Sequence, residues 1–167
     1  MTSDDRRMVS PRQIADAWER ELPGVPTSSI RVLTPLRRVA KRLTDDRRRT
    51  LDRLGVDPAT LDLLSTLRRA GEPWRLTTRE LAAQTLVTAG AISQRVARAE
   101  RDGLVARTTS DASRRAVAVT LTDAGHRLVE RVVGELLTHE ETLVAGLEAA
   151  DRNALADLLD RLDESLG

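Results

Sequence analysis

The 167-residue chain has no cysteine, no phenylalanine and no tyrosine, and its aromatic residues are Trp18 and Trp74. Without thiols it can form no disulfide, no thiolate metal site and no cysteine nucleophile. Its core has to be aliphatic, and an apolar content of 40% is enough to build one. No apolar run approaches the length of about 18 residues that a membrane span needs. The opening MTSDDRRMVS is polar and lacks the apolar stretch of a signal peptide, so the expected setting is the cytoplasm. Also missing are a glycine-rich phosphate loop, a metal-ligating cluster and a Ser/His/Asp arrangement, so no catalytic residue, metal or cofactor is assigned. His126 and His139 fall 13 residues apart on different faces of one predicted helix and read as solvated.

Lysine is nearly absent as well, Lys41 being the only one, and arginine carries the positive charge. The formal net charge of +1 conceals segregation along the chain. Residues 68–115 hold ten arginines against five acids, whereas residues 121–167 hold four arginines against eleven acids. A basic middle beside an acidic end points to a polyanionic partner for the middle alone.

Helix punctuation is clear. Ser10-Pro11 supplies a hydroxyl cap and a proline at the first helical position. Ile14, Trp18 and Leu22 then share one face until PGVPTSS intervenes. Val32, Leu36, Val39, Leu43, Leu51 and Leu54 keep a helical rhythm over residues 30–54, closed by Gly55. Asp57-Pro58 opens a third helix with Leu61, Leu64 and Leu67, and Thr77 with Glu80 forms a capping box for a short fourth. Thr88 caps a fifth, whose apolar stripe is Ile92, Val96 and Ala99 and whose end is marked by Gly103. The period then changes to two: LVART and the alternating Val117, Val119 and Leu121 predict a hairpin across TSDASRR. A long helix from Thr122-Asp123 to about residue 147 and a last one over 151–165 complete the order.

The fifth helix raises the functional question. Its leading turn, Ala89-Gly90-Ala91, is slim enough to approach a sugar-phosphate backbone once Thr88 has capped it. With the stripe turned inward, Ala91, Ser93, Gln94, Arg95 and Arg98 face outward or lie at the flanks. Ser93 and Gln94 can bond base edges, and Arg98 can take either a guanine edge or a phosphate. Arg114 and Arg115 at the hairpin tip suit the narrow, electronegative minor groove. Short helix, turn, arginine-bearing helix and arginine-tipped wing together point to duplex DNA.

Residues 60–125 resemble the MarR winged-helix regulators. RVARAERDGLVAR is similar to their recognition-helix end, SRR to their wing tip, and AVAVTLTDAG to the strand and helix start that follow. The wing departs at Ser113, where an aspartate usually precedes the paired arginines. The additional N-terminal helix with its tryptophan resembles the urate-responsive (PecS-like) branch of that family and its citrate- and aconitate-responsive relatives. That resemblance implies an anion site made by Trp18, Asp62, Arg95 and Arg107. Chemically, Asp62 on a leucine-faced helix would favour a nearby cation, which Arg95 or Arg107 can supply. A planar or polycarboxylate anion could stack on Trp18 and take a bidentate bond from Arg95. The same residues fit a plainer role, in which Trp18 packs the first helix with Ile14 and Leu22, Arg95 contacts phosphate, and Asp62 pairs with Arg107.

The expected molecule is mainly α with a small β-hairpin wing, a winged helix-turn-helix core between N- and C-terminal dimerisation helices. A polar tail occupies residues 1–10, helices for dimerisation and a candidate ligand pocket 11–56, the DNA-binding domain 57–121 and dimerisation helices 122–167. The implied function is a homodimeric regulator, a repressor by family habit, released from a pseudo-palindromic operator in double-stranded DNA by a small anionic effector. The alternative is a constitutive regulator or architectural protein of the same fold without a ligand site. In neither is a membrane a partner.

Overall fold

The computed structural model describes residues 9–85, 87–110 and 113–167, and of residues 109–116 it describes no side chain. The chain divides into two compact units, one up to Arg49 and one from Thr50 to Gly167.

In the first unit, α1 spans Pro11–Glu21. Ser10 caps it: its Oγ accepts from the Gln13 amide at 3.2 Å, while Gln13 Oε1 accepts from the Ser10 amide at 2.8 Å. This reciprocal box satisfies two amides that a helix start leaves without partners. The long α2, Ile30–Leu54, begins in this unit and ends in the second.

The second unit contains α3 (Pro58–Arg69), β1 (Arg75–Thr77), α4 (Thr78–Thr85), α5 (Ala89–Arg101), β2 (Val105–Ser110), β3 (Ser113–Leu121), α6 (Asp123–Val144) and α7 (Ala149–Glu164). Its core is aliphatic, as the composition requires. Leu61, Leu64 and Leu67 of α3 and Leu81 of α4 are buried with Ile92, Val96 and Ala99 of α5. Val105, Val119 and Leu121 of the sheet and Val129, Val132 and Leu136 of α6 complete it.

The structure departs from the sequence reading in several places, among them His139, which is half-buried rather than solvated, and the last helix, which starts at Ala149 rather than 151. The predicted hairpin is a three-stranded antiparallel sheet in the order β1-β3-β2, with Arg75 opposite Thr120 and Arg107 opposite Val119. Helix α6 ends at Val144 rather than 147, where Ala145-Gly146 turns the chain and the Leu147 amide bonds the Val144 carbonyl at 3.0 Å. His126 is not a solvated histidine. It is half-buried, with its ring edge-on to Trp74 at 4.5 Å between centroids, while Arg68 lies 5.3 Å over the same indole. Edge-to-face and cation–π contacts of this kind complement the quadrupole of the indole ring.

Candidate nucleic-acid interface

Helix α5 forms where the sequence places it. Thr88 is extended at the N-cap, and its Oγ1 accepts from the Ala91 amide at 3.2 Å. Ile92 and Val96 are fully buried and Ala99 nearly so, which fixes the rotation of the helix on the core. Gly103 ends it at φ +71°, a left-handed conformation that favours glycine. The opposite side of α5 is left exposed: Thr88, Gly90, Ser93, Gln94 and Arg98 all face water, with Ala91 half-buried. A Cβ at Gly90 would meet open space, so the slimness of this turn is directed outward and serves no internal packing. The Ser93 hydroxyl donates to the Ala89 carbonyl at 3.0 Å, which leaves its lone pairs for an external donor.

Three arginines around α5 each have a carboxylate. Arg95 Nη1 donates to Asp62 Oδ2 on α3 at 2.8 Å, with the arginine side chain only 25% exposed. Arg107 Nε on β2 lies 3.1 Å from Glu100 Oε2, at the C-terminal end of α5. Arg98 Nη2 lies 3.6 Å from Asp57 Oδ2, and its Nε is 4.0 Å from Asp102 Oδ2. Asp57 is itself fixed by capping α3: Oδ1 accepts from the Ala59 and Thr60 amides, and Oδ2 from the Thr60 hydroxyl at 2.6 Å. Partial burial pushes the Asp57 carboxyl up. The Thr60 hydrogen bonds, the Arg98 charge and the Ala59 amide outweigh this and hold it below the usual carboxylate range.

This geometry belongs to a known class. Residues 54–116 match the model of the MarR family. Over this segment the chain is similar to the MarR family. It is 25% identical to the transcriptional regulator PecS of Dickeya dadantii over 96% of both chains. Among solved structures, AbsC of Streptomyces coelicolor, a MarR-family transcriptional regulator, superposes with a TM-score of 0.72 at 22% identity. That match covers 85% of this chain and 97% of AbsC. BpsR of Bordetella bronchiseptica, whose DNA binding is regulated by 6-hydroxynicotinic acid, superposes at 0.61 with 22% identity, over 77% of this chain and 98% of its own. The chain thus has the winged-helix fold of these MarR-family regulators.

Of the four residues that the resemblance assigns to an anion site, two meet. Asp62 takes Arg95 as its cation, and Arg107 is held by Glu100 instead. Trp18 lies on α1 in the first unit, with half its surface exposed. The side chains of Arg114 and Arg115 lie outside the described residues. A groove of about 600 Å³ along α6, lined by Arg53, Glu130, Glu135 and His139 among others, contains none of the assigned anion-site residues. The sequence reading missed Glu100 and Asp57 as partners of arginines. Glu100 carried a usable signal, because Gly103 turns the chain between it and Arg107. From sequence, Asp57 shows only as a helix cap.

Proposed function

We propose that the chain is a MarR-type DNA-binding transcriptional regulator, which acts as a homodimer on a pseudo-palindromic operator and leaves it when a small planar or polycarboxylate anion, of the urate or tricarboxylate class, takes Arg95 from Asp62. The observation that carries this reading is the Arg95–Asp62 ion pair. It ties a guanidinium of the DNA-facing helix to a carboxylate on α3. An anion that binds Arg95 bidentately competes with Asp62 and repels it, so α5 loses a constraint on its position. Arg107 offers a second cation, and Trp18 the stacking surface that the family resemblance supplies. In the same reading Thr88, Gly90, Ala91, Ser93, Gln94, Arg95 and Arg98 face the major groove, and Arg114 and Arg115 the minor groove. The likeness to PecS, a transcriptional regulator, supports a role in transcription, and that to BpsR, whose DNA binding is regulated by 6-hydroxynicotinic acid, supports ligand control.

The effector needs only to favour the DNA-incompetent arrangement by about 1–3 kcal/mol. Operator binding measured with urate, citrate and aconitate tests this. At least one anion is expected to weaken binding by about 5- to 150-fold, the range typical of such coupling. The accompanying tryptophan fluorescence change should vanish in Arg95→Ala and Trp18→Phe. Variants that respond like wild type overturn the anion site. Release by none of the anions overturns the urate or tricarboxylate class of effector and favours the constitutive alternative.

A further inference from the structure

We propose that Asp57, aided by Asp102, denies Arg98 to backbone phosphates and so makes it a reader of guanine edges. The inference rests on α5 lying in the major groove. An exposed arginine on a DNA-facing helix can serve either purpose, and the local field decides which.

Arg98 is 61% exposed and has a carboxylate on each side: Asp57 at 3.6 Å from Nη2 and Asp102 at 4.0 Å from Nε. Both separations are too long for good hydrogen bonds, so neither carboxylate uses up the N–H groups of the guanidinium. The aspartates act on Arg98 through charge, leaving its donors available. Asp57 cannot swing away easily, because the start of α3 holds its Oδ1 with two amides and its Oδ2 with the Thr60 hydroxyl. Asp102 is the C-cap residue of α5 itself, one turn beyond Arg98.

An incoming phosphate would bring its negative charge beside these carboxylates and be repelled. The O6 and N7 of guanine are neutral acceptors and meet no such repulsion. The carboxylates therefore weaken one mode of contact far more than the other. Sequence preference comes from that difference, since specificity is set by what is rejected as well as by what is bound. Asp62 cannot act in the same way on Arg95, because it engages that guanidinium directly at 2.8 Å.

The test uses the full chain with two duplexes: one selected from random oligonucleotides by the wild-type protein, and a scrambled version of it. Asp57→Asn retains an Oδ1 acceptor for the α3 cap and removes the charge. It is expected to tighten binding to the scrambled duplex by about three- to fivefold, the scale of one exposed charge pair, with a smaller gain on the selected duplex. The salt dependence on the scrambled duplex should steepen by about 0.9 in log–log slope, equivalent to one more phosphate contact. Asp102→Asn should act in the same direction but less. In an Arg98→Ala background both gains should disappear. Equal gains on the two duplexes, no gain on either, or a gain that survives Arg98→Ala overturns the inference. A wild-type chain that prefers neither duplex overturns the major-groove reading, and this inference with it.

Discussion

Gly125, early in α6, fixes how closely two elements approach. A Cβ there would collide with the Leu104 carbonyl oxygen and would stand 3.2 Å from Leu121 Cδ2. Thr122 draws the same junction together, its amide donating to the Leu104 carbonyl at 3.1 Å and its hydroxyl to the Gly103 carbonyl at 2.7 Å. The start of α6 is thereby tied to the turn that ends α5. Gly125→Ala must force backbone from backbone, and it should destabilise the fold by about 2–3 kcal/mol, within the range for overpacking. Urea unfolding checks this: the midpoint should fall while the m-value is unchanged. At this scale the sequence was legible where chemistry is local. Ser10, Asp57, Thr77, Thr88 and Thr122 were all readable as caps, because a cap needs only its own next three residues. Pairings between distant residues were not. Asp62 and Arg95 are 33 residues apart, and only the packing of α3 on α5 selects Arg95 over Arg107. His126 looked solvated for the same reason, since its partner Trp74 comes from a distant loop.

Among the elements, two helix starts contribute to the pH response. Glu80 Oε2 accepts from both the Thr77 amide and the Thr77 hydroxyl at 2.7 Å, and the amide followed by the hydroxyl holds its carboxyl below the usual range. Asp57 is depressed as well, once its cap bonds and Arg98 have outweighed burial. A carboxylate depressed in the folded state stabilises it at pH values above the unfolded pKa, near 4 by the usual reference. That contribution disappears as the pH falls through the lower folded value. Stability should therefore be flat from about pH 7 to 5 and decline below about pH 4. Glu80→Gln should show a shallower decline, measured as unfolding free energy against pH; an identical slope would remove Glu80 from the acid response. Thr88→Ala tests α5 separately, with an expected loss of about 1 kcal/mol in thermal or urea unfolding. The helices were legible because period and caps agreed. Strand β1 was not, because Arg75–Thr77 is too short to show a period of two and exists only through its pairing with β3.

For the whole molecule the decisive feature is apolar surface left in water. No residue of α7 is buried, and Leu158 and Leu166 are 58% and 78% exposed. Leu143 and Val144 at the end of α6 and Leu147 just beyond it are exposed too, as are Val32, Val39 and Leu43 on α2. A monomer rarely leaves such a set uncovered, and a second copy would cover it symmetrically. Two reading heads joined in this way bind a two-fold site far more tightly than one, because the second contact becomes intramolecular. Leu158→Glu places a charge among the exposed leucines Leu155, Leu158 and Leu159 of α7 without touching α5 or the sheet. We expect the variant to sediment as a monomer at micromolar concentration, with its helical circular dichroism retained. Its operator affinity should fall by about 100-fold or more, the loss of avidity when linked sites separate. Retained helicity is what makes the result interpretable, since unfolding would lower affinity for a different reason. A variant that sediments as the wild type does would show that α7 is not the interface, and a monomeric wild type would remove the two-headed reading of the operator altogether.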